Sequence, residues 1–115
     1  MDSILTSIKK LLGVAEDYTH FDTDIIFHIN SVFATLSQIG IKPEGFSIED
    51  KYTTWDEYLN DSTCLHLVKV YVQLKVRLLF DPPSSSIVQA SIDSHIKEYE
   101  WRLSILANGG ENQNE

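Results

Sequence analysis

Apolar residues recur along this chain at helical spacing, and the gaps between the recurrences carry helix caps and stops. In SILTSIKKLLG, Ile4, Ile8, Leu11 and Leu12 fall on one face, with Ser3 placed to cap and Gly13 to stop. Lys9 and Lys10 lie away from that face, near the end where the helix dipole favours cations. A second helix is predicted from after Asp22 or Thr23 to Ile39, with Gly40 as its stop. Its stripe is Ile25, Ile29, Val32, Phe33, Leu36 and Ile39. LHLVKVYVQLKVRLLF, entered from Asp61 or Ser62, has the β-branched content of a strand. A run of this length without a breaker favours a buried helix. The last helix starts among Ser84, Ser85 and Ser86 and runs to about Leu106, with Val88, Ile92, Ile96, Tyr99, Leu103 and Leu106 as its main face.

Between the second and third long segments, IKPEGFSIEDKYTTWDEYLND mixes turn residues with aromatics. FSIEDKY fits either a short hairpin arm or an irregular loop, and Thr54 is placed to cap a short helix carrying Trp55, Tyr58 and Leu59. The fold class is therefore all-α: a small bundle of four to five helices with a central loop or short hairpin arm. A single domain is expected over residues 1–107, followed by NGGENQNE, residues 108–115, as a disordered polar tail. At 115 residues the chain suits one domain, because domains of roughly 100–150 residues are the commonest size.

Three features depart from simple amphipathic order. Lys75 falls in the centre of an apolar arc, between Tyr71 and Leu79. It either meets a carboxylate, reaches into an intersubunit contact, or snorkels at the core edge. Phe27 and Ala34 project from the side opposite the stripe of the second helix. Trp101 and Ile105, with Ile87, make a second face on the last one. Together with Trp55 they exceed what a small monomer needs to bury, so they are candidates for a partner surface, unless another helix covers them. Phe46 to Trp55 is the candidate loop for reaching a neighbour.

Charge then narrows the partners. The net charge is −8, from 17 acids against 9 Lys plus Arg, which opposes binding to a phosphate backbone. No run of apolar residues is long enough to span a membrane. One cysteine, Cys64, forms no internal disulfide and fits a reducing compartment. Chemistry is harder to find. His20, His28, His66 and His95 have no partner spacing for a metal, and Asp22 and Asp24 suit a helix start better than a cation loop. Glu49, Asp50 and Lys51 form a solvated turn. No catalytic, metal-binding or cofactor-binding residue is assigned, no cofactor is expected, and the chain is not read as an enzyme.

The order of the segments carries a resemblance. SIKKLLG, EDYTHFDTDI, HINSVFATLSQIGI, TTWDEYL, VKVYVQLKVRLLFDPPSSS and EYEWRL, taken together, resemble the head-tail connector proteins of long-tailed bacteriophages, also called adaptor or head-completion proteins. The resemblance implies a structural virion protein that forms a ring homo-oligomer, a dodecamer by family habit, at the head-tail interface and assembles in the bacterial cytoplasm. It implies the portal protein and a stopper or tail-completion protein as partners, with DNA passing through the ring without specific binding. An alternative from charge and exposed aromatics is a small acidic helical protein that occupies a partner protein's surface. Candidate interface residues on either reading are Phe27, Ala34, Phe46, Trp55, Lys75, Trp101 and Ile105.

The stretch RLLFDPPSSS has its own reading. Asp81 precedes a proline and is pushed out of helical geometry, and Pro82 and Pro83 cannot continue the hydrogen-bond ladder. A serine then starts the next helix. Asp81, Pro82 and Pro83 are thus expected to form a stiff corner between two long helices.

Overall fold

A computed structural model of the protein describes residues 3–41, 43–59 and 62–112, without the side chains of 62–63 and 108–112. Among the described residues five helices follow in order: α1 (Ile4–Leu12), α2 (Asp22–Ile39), α3 (Trp55–Tyr58), α4 (Ser62–Phe80) and α5 (Ser86–Asn112). Among the described residues there is no strand, only an isolated antiparallel bridge between Ser3 and Thr54. The all-α expectation holds.

Helix ends follow the local chemistry. The Ser3 hydroxyl accepts the Thr6 N–H at 3.2 Å, and Gly13 closes α1 at φ 80°. Gly40 ends α2 at φ 111°, its N–H donating to the carbonyls of Leu36 and Ser37. A Cβ at Gly40 would lie 3.2 Å from the Ala107 Cβ, so glycine also lets the end of α2 approach α5. At the start of α3 the Thr54 N–H donates to Glu57 Oε2 at 2.8 Å, the reach-back half of a capping box.

α4 is the central element. It packs against α2, α5 and α1, and Val68, Tyr71, Val72 and Val76 are fully buried along it. This is why its apolar residues run nearly all the way round. α2 contributes Ile25, Ile29, Val32, Phe33 and Leu36; α1 contributes Ile4, Leu5 and Ile8; α5 contributes Ile92, Ile96 and Leu103. These residues form one continuous core with Ile41, Ile48, Trp55 and Tyr58 from the central segment.

The central segment is an irregular loop and not a hairpin. Asn30 decides this: its side-chain amide donates to the Ile48 carbonyl at 2.9 Å and its oxygen accepts the Ile48 N–H at 2.8 Å. A side chain of α2 thus satisfies the two backbone groups that a neighbouring strand would otherwise take.

α5 departs from the expected face at both ends. Val88 and Leu106 are exposed, as is Leu11 in α1. The cause for α5 is length: its 27 residues span about 40 Å, against about 28 Å for the 19 residues of α4. Every described residue from 84 to 91 is exposed, so the first turns of α5 extend past the helices that cover its middle. α5 also continues to Asn112, inside the stretch expected to be a disordered tail from residue 108. The helical ladder carries through Gly109 and Gly110 despite a cost of about 1 kcal/mol per glycine relative to alanine. Residues 113–115 lie outside the described residues.

Asp81, Pro82 and Pro83 lie between α4 and α5, outside both helices. The Asp81 N–H donates to Arg77 at 2.8 Å, closing the last bond of α4. Ser85 starts α5, accepting the Val88 N–H on its hydroxyl at 3.3 Å.

Candidate functional site

Two outward faces are left after the core is complete. On α2, Thr23, Phe27, Ser31, Ala34 and Gln38 form one exposed ridge, with the Phe27 ring 70% accessible. Three- and four-residue steps place these side chains above one another. Phe27 contacts the His28 ring edge-on, with centroids 5.8 Å apart. On α5, Ile87, Trp101 and Ile105 are exposed at 81%, 64% and 46%. Ile87 and Ile105 are about five turns apart and share one azimuth, with Ala90 and Ser94 exposed between them. Four sequence-predicted residues, Phe27, Ala34, Trp101 and Ile105, therefore stand on open surface.

Three others do not. Trp55 is buried, with its indole N–H donating to the Ser7 hydroxyl at 2.8 Å and its ring beneath the Lys69 ammonium at 5.6 Å. It joins α1 to α3 and offers no free face. Phe46 packs into the same core, 5.4 Å from the Phe33 ring and 4.8 Å from Tyr58. A loop around Phe46 and a four-residue helix at Trp55 are too short or irregular to show a period from which burial can be read. The apolar residue that the central loop does expose is Tyr52.

Lys75 is the third. Its ammonium stands 3.9 Å from Glu100 Oε2, and the Tyr71 hydroxyl donates to that same oxygen at 2.7 Å. Glu100 thus gives Lys75 a carboxylate within reach, while the lysine side chain keeps 31% of its surface accessible at the edge of the core. Burial, followed by the hydrogen bond to Glu100 and the negative charge of Glu100, raises the Tyr71 hydroxyl well above the usual tyrosine range. Burial also raises Tyr58, with a smaller contribution from Cys64. The Tyr58 hydroxyl is buried without a hydrogen-bond partner among the described residues.

The sequence reading missed Lys9. It was placed off the apolar face of α1, yet its side chain is buried. Its ammonium donates to the carbonyls of Glu16 at 3.0 Å and Tyr18 at 2.8 Å, and lies 2.8 Å from Asp22 Oδ1. The Asp22 contact is one of charge and not an aligned hydrogen bond. All three oxygens come from the segment after Gly13, so the periodicity of α1 held no sign of them. The run of acids in that joint was the available signal.

Among the described residues no group of three or more His, Cys, Asp or Glu side chains is placed to hold a metal ion, and no helix is long and apolar enough to cross a membrane. What the surface offers is contact area on α2 and α5.

Comparison with known families shows that the family described as phage connector protein matches residues 4–110. No curated protein and no solved structure matches.

Proposed function

The chain belongs to the phage connector protein family, a structural family of virion components, and from that premise we propose that it is the subunit of a ring joining the portal vertex of the phage head to the stopper or tail. The observation that carries this reading is the pair of unlike exposed faces, Phe27 and Ala34 on α2 and Trp101 and Ile105 on α5. A closed ring uses heterologous contacts, so each subunit needs two different patches that meet on its neighbours. A two-fold dimer would need only one self-complementary patch.

The excess of acids suits such a ring. With a net charge of −8 per subunit, a ring repels phosphate, and DNA passes along its bore without tight contacts. The stiff Asp81–Pro82–Pro83 corner fixes the angle between α4 and α5, and with it the presentation of the α5 face.

The test is co-assembly. Purified protein is mixed with isolated portal rings, or with DNA-filled tailless heads, and sedimented. Association is expected with both. Absence of binding to either would remove the main support for the connector role.

A further inference from the structure

At the end of the molecule where α2 begins and α4 stops, Phe21, Asp24, His28, Phe80 and Asp81 line an open cavity of about 510 Å³. The two phenyl rings meet edge to face, with centroids 5.4 Å apart. Both carboxylates are exposed, and neither takes part in an ion pair among the described residues. The nearest cation along α4, Arg77, is exposed and makes none with Asp81. The neighbouring charge at Lys9 is already engaged by Asp22.

The backbone adds to the same sign of charge. In a continuing helix the carbonyls of Leu78 and Leu79 would accept from the nitrogens four residues on. Those are Pro82 and Pro83, which carry no hydrogen. The corner that stops α4 therefore denies these two carbonyls their helical donors at the negative pole of the helix, next in the chain to Phe80 and Asp81 of the cavity wall. The positive pole of α2 at Asp24 works in the opposite direction, on one of the two carboxylates only.

We propose that this cavity takes the arginine side chain of a partner protein. A guanidinium is planar and presents several donors in one plane. It can bond carboxylates and carbonyl oxygens at its edge while its face lies on Phe21 or Phe80. A lysine ammonium matches the charge but not the flat aromatic wall. The net charge of −8 favours a basic protein surface as the source and disfavours a nucleic acid. The inference rests on this cavity alone and does not depend on ring formation.

The test uses the intact protein and small probes. Amide chemical shifts are followed by NMR as Nα-acetyl-arginine-N-methylamide is added, in parallel with the citrulline and lysine analogues. Saturable shifts centred on Phe21, Asp24, His28, Phe80 and Asp81 are expected with the arginine probe. The uncharged citrulline analogue, which keeps the shape, and the lysine analogue should both bind at least about threefold more weakly. The double variant D24N/D81N should lower affinity at least about tenfold. Both positions are exposed, so the variant should keep a cooperative unfolding transition close to that of the wild type. Absence of saturable shifts, equal binding of citrulline or lysine, or full binding by D24N/D81N would each overturn the proposal.

Discussion

Lys9 Nζ lies 2.8 Å from Asp22 Oδ1, and the two residues are not equally exposed: the lysine side chain is 3% accessible and the aspartate 25%. The pair ties α1 to the first turn of α2 and wraps the joint between them around one ammonium, which also donates to the Glu16 and Tyr18 carbonyls. The inequality decides how the pair responds to mutation.

Removing Asp22 leaves a buried charge with carbonyl dipoles only, whereas removing Lys9 leaves a carboxylate that can turn to water. D22A is therefore expected to cost about 2–4 kcal/mol, and K9M, which keeps most of the buried stem, about 1–2 kcal/mol. Urea unfolding of the two variants checks the order. A larger loss for K9M than for D22A would contradict it.

Two tryptophans that the sequence groups together should separate in the same assay. Trp55 is core and bonded to Ser7, while Trp101 is open to solvent. W55A is expected to lose about 3–5 kcal/mol, as large core truncations do. W101A should stay within about 0.5 kcal/mol of wild type. Equal losses in the two variants would contradict the burial assigned here.

How far the sequence carried can be seen in these same residues. Ile25, Ile29, Val32, Phe33 and Leu36 lie in the core as their spacing predicts, because a helix fixes which side chains share a face. Phe27 and Trp101 are legible for the same reason, standing off a face that is already complete. Trp55 and Phe46 are not legible, because their burial comes from a loop folded back onto α2 by Asn30, eighteen residues before Ile48. Lys9 escapes for a related cause: a helical wheel shows only neighbours on its own helix, and the oxygens around this ammonium lie beyond Gly13.

The two buried tyrosines are expected to lower stability at alkaline pH. The hydroxyls of Tyr58 and Tyr71 are raised in the folded chain, so they stay protonated there after the unfolded chain has begun to ionise near its ordinary value of 10.0. Each contribution is complete below about pH 10 and is lost as pH rises above it, with a slope of about 1.4 kcal/mol per pH unit per tyrosine. Urea midpoints between pH 9 and 11 should fall, and Y58F and Y71F should each flatten the fall. At pH 7 the two variants should differ in another way. The Tyr58 hydroxyl is unpartnered, so Y58F is neutral or stabilising by about 1 kcal/mol, whereas Y71F removes the bond to Glu100 and costs about 1–2 kcal/mol. An unchanged midpoint across this pH range would contradict the assignment.

The two outward faces give the most direct test of assembly. Phe27 and Trp101 belong to different helices and are both absent from the core, so a charge at either should leave the subunit folded. In a heterologous ring the two faces meet on neighbouring subunits, and spoiling one face blocks every contact in the ring. F27D and W101D are therefore each expected to keep wild-type unfolding within about 0.5 kcal/mol while losing co-sedimentation with portal rings. A mixture of the two variants sharpens the result. The good α5 face of F27D fits the good α2 face of W101D, so mixing restores one contact and yields heterodimers that stop there. Mass photometry on the mixture, at concentrations where the wild type assembles, should show dimers and no closed ring. Normal ring assembly by W101D alone would exclude the α5 face from the contact, and normal assembly by F27D would exclude the α2 face.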